Sequence, residues 1–382
     1  MVSLFWRFSG LIDMGRRRRE DGWRRARGRG PGVTRRSNGG RRLGRLSPRL
    51  VALGGAVVLS LAVGACGGDG GDSGLAGGGE QITIGLITKQ ETNPYWVTMR
   101  EVAQETAEEH GVELLTAAGK SDVDNESQVA ALQYMRAREA AGILIAPADS
   151  EAIVPAIEEA REEGLTVIAV DTPTEPRSAV DALFATDNRQ AGELIGRYAR
   201  AKAQEEGVQP RIAMLELAPG ITSGELRHDG FLEGLGIGEG DPRLVGSVNT
   251  EGDRAKGRRG MEQLLQENPD INIVYAVNEP AAFGAAAALQ AAGKDEGDVI
   301  LVTVDGGCDA IKRGIRPGVI DATAQQYPEN MAREGVSALV EAARGGEQPS
   351  GYLNTGVELI TGDAVEAVES RNTAFGVRNC WG

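Results

Sequence analysis

Polar and aromatic residues follow several short apolar runs of this sequence, and their types suit hydrogen bonding to a ligand with a ring of hydroxyl groups. They are Asn93, Tyr95 and Trp96 after the first run, Asp171, Asn278 and Asp305 at the ends of three later runs, and Gln325 within the ninth. An amide offers a donor and an acceptor, a carboxylate offers acceptors, and a flat aromatic ring packs on the C–H face of a sugar ring. Helix capping is the better explanation of each polar residue taken singly. Their recurrence at successive run ends favours a ligand site.

These residues depend for their position on nine apolar runs that alternate with stretches of helical spacing. The runs cover residues 82–88, 112–118, 142–147, 166–171, 182–187, 211–217, 271–278, 299–305 and 318–326. Most of them lack polar/apolar alternation, as is typical of strands buried on both faces. Strands separated by helices predict parallel α/β sheets with right-handed crossovers. Ligands of such sheets bind beyond the carboxyl ends of the strands, where helix N-termini also point.

The number of runs predicts two doubly wound domains, because nine strands suit two smaller sheets better than one very wide sheet. We expect a domain change near Thr186 and Asp187, where "FATDNRQAG" ends one run and opens a helix. Asp187 and Asn188 are the candidate caps of that helix.

The sequence offers little that could support catalysis. Its two histidines, His110 and His228, do not lie in a metal-spaced cluster, and we expect no metal site. There is no GxSxG elbow, no Walker A motif and no GxGxxG after the first run. "GLGIGEG" (234–240) follows what reads as the end of a helix, so it is predicted to be a loop. A non-enzymatic function without a cofactor is therefore favoured.

The first 65 residues differ from the rest, with 15 Arg against three acidic residues. A nucleic-acid-binding arm is one interpretation. However, the uncharged run "LVALGGAVVLSLAVGA" follows Arg49 directly, and a basic segment, a short apolar segment and small residues form an export signal. The boundary "VGAC" is similar to a bacterial lipobox, which predicts lipidation of Cys66; a buried cysteine is the alternative. Residues 1 to 40 exceed what a signal needs.

The composition changes again after Cys66. Residues 66–80 are Gly-rich without an apolar period, which predicts a flexible tether. From Cys66 onward there are 26 basic and 52 acidic residues, a formal charge of −26. Such an acidic surface argues against nucleic acid as a partner.

Seven features in chain order carry a resemblance to a known family. They are the lipobox, the tether, "TNPYW", "VDTP", "VNEPAAFGAAAALQAAG", "VTVDGGCDAIKRG" and "ATAQQYPENMA". Together they resemble the sugar-binding lipoproteins of ABC importers, in the ribose- and fructose-type branch of the type I periplasmic binding proteins. The likeness covers residues 81–382, nearly all of the chain from Cys66 onward.

The resemblance implies two Rossmann-like α/β domains joined by a three-strand hinge. The first would comprise 81–186 with 326–350, and the second 187–325 with 351–382. They would close on one monosaccharide, a fructose-like hexose or a pentose, and present it to an ABC permease and its ATPase. The resemblance also implies an exported monomer, anchored by the lipid on Cys66 to the outer face of the cell membrane.

The same resemblance assigns sugar binding to the residues named in the first paragraph and adds Asp124 and Arg227. Asp124 lies in "DVDNESQ", and Arg227 in "SGELRHDGF" matches one of two basic positions usual before "GF". Glu225 stands at the other basic position, and Thr172 stands where ribose binders carry another arginine. These departures leave the identity of the sugar open, and "DTP", "NEP" and "GGC" are closer to the fructose-type relatives.

The resemblance also bears on the remaining cysteines. With Cys66 lipidated, Cys308 and Cys380 are an even pair in an exported chain, where disulfides persist. Relatives with "DGGC" and a terminal "CWG" imply that these two are bonded.

Three other functions fit parts of the sequence. A receptor that presents a sugar to a sensor kinase or to the chemotaxis machinery would have the same binding protein sequence. A regulator of the lactose-repressor type shares the core fold but needs a helix-turn-helix ahead of it, where this chain has an Arg-rich segment and an apolar run. A sugar-processing enzyme would need catalytic residues that no motif here supplies.

Overall fold

The structure is a computed structural model that describes residues 81–382. The predicted Arg-rich extension and signal peptide (1–65), the tether (66–80) and the lipidation site Cys66 lie outside the described residues. Among the helices of residues 81–382, none is long and apolar enough to cross a membrane.

The first sheet has six parallel strands in the order β11-β5-β4-β3-β1-β2. They are β1 (Thr83–Thr88), β2 (Glu113–Ala118), β3 (Gly142–Ile145), β4 (Thr166–Val170), β5 (Ala182–Ala185) and β11 (Gly351–Asn354). One face is covered by α1 (Pro94–His110) and α8 (Pro328–Ala343), and the other by α2 (Asn125–Ala137) and α3 (Val154–Glu162). A short 3₁₀ turn, Arg177–Ala179, precedes β5.

The second sheet has seven strands in the order β13-β12-β10-β9-β8-β6-β7, all parallel to their neighbours except β12 against β10. They are β6 (Ile212–Glu216), β7 (Leu244–Asn249), β8 (Ile273–Ala276), β9 (Ile300–Asp305), β10 (Ala322–Gln325), β12 (Glu358–Thr361) and β13 (Arg371–Asn372). One face packs against α4 (Asn188–Glu206) and α5 (Thr222–Leu235). The other packs against α6 (Arg254–Glu267), α7 (Glu279–Ala291), a π-helix at Ala310–Ile315 and α9 (Thr373–Arg378).

Helices on both faces of two mainly parallel sheets confirm the predicted fold class. The buried strands explain the run composition, since residues of β1 and β3 pack alternately into the clusters on the two faces. The chain passes between the sheets after β5, after β10 and after β11.

The third passage differs from the predicted boundary at residue 350. Strand β11 pairs with β5, so Gly351–Asn354 belong to the first sheet and the passage follows Asn354. We therefore define the N-terminal lobe as residues 81–186 with 326–354, and the C-terminal lobe as 187–325 with 355–382.

Close helix packing in the C-terminal lobe sets the position of a later site residue. A Cβ atom at Gly192 of α4 would overlap the carbonyl oxygen of Arg227 on α5, so only glycine allows this approach. The contact brings the Arg227 side chain to the first turn of α4, where its Nε donates to Asn188 Oδ1 at 2.7 Å.

Candidate functional site

A small cavity lies between the carboxyl ends of the two sheets, as expected for parallel α/β folds. It is lined by Lys89, Asn93, Tyr95, Trp96, Asp122, Asp171 and Gln326 from the N-terminal lobe, and by Leu217, Ser223, Arg227, Asn278 and Asp305 from the C-terminal lobe. Its free space is about 20 Å³, against the roughly 10–15 Å³ that one water molecule needs. The lobes are therefore closed on each other, and a larger ligand enters only when they move apart.

The aromatic part of the cavity wall comes from the start of α1. Asn93 is the N-cap, and its Oδ1 accepts a hydrogen bond from Tyr95 N at 3.0 Å. Pro94 occupies the first turn, where its missing N–H costs nothing. The cap directs the next two rings inward, and Tyr95 and Trp96 are 3% and 4% exposed. Trp96 Nε1 makes no close hydrogen bond among the described residues, although the indole opposes the rise in the pKa of the Asp122 carboxyl that burial causes.

Lys89 places a buried cation in the same wall. It follows β1 directly, and its side chain is almost fully buried. Its Nζ donates to Thr172 Oγ1 at 2.8 Å and lies 3.5 Å from Asp171 Oδ2 and 5.6 Å from the centre of the Trp96 ring. The ammonium thus contacts Thr172, one of the two departures from the expected ribose pattern.

One aspartate from each lobe ends a strand in an unusual backbone conformation. Asp171 follows β4 with φ 65°, and Asp305 closes β9 with φ 107°. Residues other than glycine adopt positive φ at a cost, and such strain is concentrated at functional sites. Both carboxylates are buried, and each accepts a side-chain hydrogen bond: Asp171 from the Tyr95 hydroxyl at 3.0 Å and Asp305 from Gln326 Nε2 at 2.7 Å.

Arg227 lies between these two carboxylates. Its Nη2 is 3.9 Å from Asp171 Oδ1, and its Nη1 is 3.8 Å from Asp305 Oδ1 and donates to Val277 O at 3.1 Å. The guanidinium therefore connects both lobes electrostatically, while its direct hydrogen bonds fix it to the C-terminal lobe.

The buried acids respond to this environment. Burial raises the pKa of Asp305 to about 6, although the Arg227 guanidinium opposes the rise. Burial also raises the pKa of Asp122, and the Lys89 ammonium opposes that rise. The pKa of the Tyr95 hydroxyl is raised well above its usual value by burial, so this group stays protonated as a donor.

Asn278 lines the cavity and also caps α7. Its Oδ1 accepts from Ala281 N at 3.1 Å, and its Nδ2 donates to Gly252 O at 3.2 Å. Both interpretations of this residue, helix cap and cavity wall, therefore apply at once.

Comparison with known proteins identifies the family. Residues 84–348 match the family model described as periplasmic binding protein domain. The chain belongs to this family.

Curated relatives and solved structures of similar proteins agree with this family assignment. The ribose import binding protein of Bacillus subtilis is 29% identical over 270 residues, which are 71% of this chain and 84% of that protein. The D-ribose/D-allose-binding protein of Pseudomonas aeruginosa is 28% identical over 74% of this chain and 89% of its own. A carbohydrate transporter solute binding protein from Agrobacterium radiobacter, solved in complex with D-arabinose, is 25% identical with a TM-score of 0.67, covering 74% of this chain and 95% of its own.

The structure brings seven of the nine predicted sugar-binding residues of the binding protein to the cavity. Asp124 lies outside it, because its carboxylate caps α2 by accepting from Ser127 N at 3.0 Å. Gln325 ends β10 with its side chain on the other side, where its Nε2 donates to Gly306 O at 2.8 Å. Asp122 and Gln326, two and one residues away along the chain, occupy the cavity instead.

Lys89, Leu217 and Ser223 of the binding protein are cavity residues that the sequence interpretation missed. The sequence signal for Lys89 is its position directly after the first run, where a polar residue marks the end of the strand. Glu225, at the other departure from the ribose pattern, accepts from the Gly220 backbone and does not line the cavity.

The cysteines of the described part are joined in the structure. Cys308 and Cys380 form a disulfide with a Cα–Cα distance of 4.9 Å, within the usual range of about 4.4–6.8 Å. The bond connects the segment after α9 to the loop that follows Asp305.

Proposed function

We propose that this chain is an extracytoplasmic binding lipoprotein that captures one uncharged monosaccharide between its lobes and delivers it to an ABC permease. The observation that carries the proposal is the cavity closed between the lobes, with aromatic rings on one side and fixed polar groups on the other. Relatives that are named for ribose or allose, or solved with D-arabinose, support a single sugar as the ligand.

The residue types of the cavity suit a polyol. The side chains of Asp122, Asp171 and Asp305 supply acceptors, while Lys89 and Arg227 supply donors. Sugar hydroxyls donate and accept, so they can satisfy both kinds of group once the lobes open and close again around them. Trp96 offers a ring and an unpaired Nε1 donor. All nine predicted sugar-binding residues stay proposals in this role, with Asp124 and Gln325 the least favoured by their positions.

The charges of the cavity favour an uncharged sugar. Three buried carboxylates face two buried cations, and both cations lie within ion-pair distance of Asp171. A sugar acid would add an anion that no remaining cation compensates, and burying an uncompensated charge is costly. We therefore expect aldoses and ketoses to bind and uronic acids to be rejected.

The mechanism follows from the arrangement in two lobes. Each lobe supplies part of the wall, so the ligand makes more contacts in the closed state and shifts the population towards it. The closed form would then be recognised by the permease. Export, lipidation of Cys66, a monomeric state and persistence of the Cys308–Cys380 bond in the exported chain belong to the same proposal. Replacing Cys66 with alanine should release the protein from the membrane fraction.

A thermal-shift panel tests the proposal. The full chain would be heated with D-ribose, D-allose, D-arabinose, D-fructose, D-fucose, myo-inositol or D-glucuronate, with sorbitol at equal concentration as the osmolyte control. At 100 times its dissociation constant a ligand adds about 2.7 kcal/mol of stability. We expect a clear upward shift with one or more neutral sugars and none with glucuronate. No shift with any neutral sugar beyond that of sorbitol would refute the proposal.

A further inference from the structure

The segment after α9 contributes a side chain to the N-terminal lobe although it is anchored in the C-terminal lobe. Trp381 is 6% exposed and packs in the same hydrophobic cluster as Tyr95, Trp96 and Met331. Its backbone is tied elsewhere: Cys308 N donates to Trp381 O at 2.8 Å, and the neighbouring Cys380 is bonded to Cys308. The indole therefore spans the two lobes beside the cavity.

The indole contacts two residues of the cavity wall. Its ring lies edge to face against Tyr95, with 5.2 Å between ring centres, and Tyr95 lies in turn against Trp96 at 4.7 Å. At the other edge, Trp381 Nε1 donates to the backbone oxygen of Gln326 at 2.8 Å. Trp381 does not line the cavity itself, but it fixes the Tyr95 ring and the Gln326 peptide group, whose residues do line it.

Tyr95 and Gln326, the two residues that Trp381 contacts, are hydrogen-bonded to the two aspartates with positive φ. The Tyr95 hydroxyl donates to Asp171, and the Gln326 amide donates to Asp305. The loop before the disulfide also lies against the indole, since a Cβ atom at Gly307 would be 3.0 Å from the Trp381 ring. Trp381 therefore connects the backbone of the C-terminal lobe with both wall residues through one side chain.

We propose that Trp381, held by the Cys308–Cys380 bond, is a positioning residue for sugar binding that aligns Tyr95 and Gln326 when the lobes close. This rests on the proposed function for its ligand, but the alignment itself is measurable without sugar. Loss of the indole removes one of the two edge contacts of the Tyr95 ring and leaves the Gln326 backbone oxygen without the Trp381 donor. Both wall residues then sample orientations in which their hydrogen bonds to Asp171 and Asp305 are broken.

The test compares Trp381→Ala with Trp381→Phe, Cys380→Ser and a matched core variant, Leu264→Ala, all in the full chain. Leu264 is 3% exposed in a cluster of the C-terminal lobe that does not line the cavity. The first readout is amide hydrogen exchange without ligand at Trp96–Met99 and Asn330–Met331. We expect at least tenfold faster exchange there in Trp381→Ala, a smaller increase in Trp381→Phe and Cys380→Ser, and no increase in Leu264→Ala.

The second readout is calorimetric affinity for the panel sugar with the largest thermal shift, measured where every variant is folded by circular dichroism. We expect at least tenfold weaker binding for Trp381→Ala, a partial rescue by phenylalanine, and a change below twofold for Leu264→Ala. The inference would be overturned if the amides of Trp96–Met99 and Asn330–Met331 exchanged in Trp381→Ala and Cys380→Ser at the wild-type rate, whether or not any sugar binds. If no sugar binds the wild type, the proposed function fails while the exchange readout still decides this inference.

Discussion

The two walls of the cavity differ in how firmly hydrogen bonds hold the polar side chains that could meet a ligand. In the N-terminal wall, Trp96 Nε1 is unpaired within the described residues, and Lys89 makes one hydrogen bond of the three that an ammonium can donate. In the C-terminal wall, Asn278 and Arg227 both bond to backbone or side-chain groups of their own lobe. Two hydrogen bonds hold each of these side chains of the second wall, whereas one or none holds those of the first, which keep donors for a ligand.

This difference indicates that the two walls have different roles in sugar binding. A sugar entering the open protein meets unsatisfied donors and aromatic faces on the N-terminal lobe, so recognition begins there. The C-terminal lobe then closes as a preformed surface, which limits the ordering that closure requires. Substitutions in the C-terminal wall should therefore affect folding most, and substitutions in the N-terminal wall should affect affinity most.

The largest expected effect is that of Arg227→Met, which removes the cation between Asp171 and Asp305. Removing one partner of a buried ion pair typically costs about 3–5 kcal/mol, and we expect a loss of that order from urea unfolding. The exposed Arg189, which pairs with Asp229 and Glu233 on the surface of α4 and α5, provides the control. Its methionine variant should stay within about 1 kcal/mol of the wild type.

The pH dependence of this loss follows from Asp305. Burial raises its pKa to about 6 in the folded protein. Because the pKa of Asp305 is higher in the folded than in the unfolded protein, its contribution to stability is fully present below the unfolded-state pKa. That contribution is lost as the pH rises through the folded-state pKa. Without Arg227 that pKa rises further, so the variant should lose more stability relative to the wild type at pH 8 than at pH 5. An equal loss at both pH values, or a loss no greater than that of Arg189→Met, would contradict the assigned role.

The next effect in size is that of Lys89→Met on sugar affinity. Methionine has a similar length but no charge, so the wall keeps its packing and loses a donor, while Asp171 keeps Arg227 as a buried cation within ion-pair distance. Hydrogen bonds of charged groups are worth about 1.5–3 kcal/mol, which predicts at least about tenfold weaker binding by calorimetry. Lys120→Met, at an exposed position of the same lobe, is the control. If the two variants bind equally well, the N-terminal wall does not carry the recognition assigned to it.

Much of the fold could be predicted from the sequence, because it depends on features that are local. Buried strands such as Ile273–Ala276 are short uninterrupted apolar runs, and α7 begins at the Asn-Glu-Pro sequence that follows that strand. The third passage between the lobes was misplaced because β11 is short and all four of its residues are exposed. Its membership in the first sheet depends on pairing with β5, a contact between residues distant in sequence.

The cavity was predictable to within one or two residues, and the errors have a structural cause. The end of a strand predicts that polar groups meet a ligand there, but neighbouring side chains point to opposite sides. Gln325 and Gln326 are chemically identical, so only the position of the strand end shows that Gln326 faces the cavity. In the loop after β2, Asp124 is the N-cap of α2, and Asp122 lines the cavity wall.

A smaller effect is expected from Asn278→Ala, which combines a helix cap with a wall position. Loss of an asparagine cap costs about 1 kcal/mol, so the protein should remain folded with a slightly lower Tm. Asp187→Ala removes a comparable cap of α4 outside the cavity, where Asp187 Oδ1 accepts from Gln190 N at 3.0 Å, and is the matched control. Both variants should lose similar stability, while only Asn278→Ala should also bind sugar more weakly. Equal affinities would reduce Asn278 to a structural cap.

The smallest expected effect concerns closure itself, at one direct contact between the lobes that lies away from the cavity. Ser150 of the N-terminal lobe is buried, its N–H donates to Gly220 O at 2.9 Å, and its Oγ accepts from Thr222 N at 3.2 Å. Neither group lines the cavity. In the open form water can satisfy Thr222 N–H, so Ser150→Ala should destabilise only the closed form.

The cost of one such hydrogen bond is about 1 kcal/mol, which lowers the closed population, and with it the affinity, by at most roughly fivefold. Because the bond does not touch the ligand, the factor should be the same for every sugar that binds, leaving the order of preference unchanged. Lys89→Met, by contrast, should alter that order, since different sugars place different hydroxyls against the ammonium. Ser178→Ala, at an exposed position of the same lobe, should have no effect. Calorimetric titration of all four proteins against two sugars separates the cases: a Ser150→Ala factor that differs between the sugars would mean that closure and recognition are not divided between the walls as inferred.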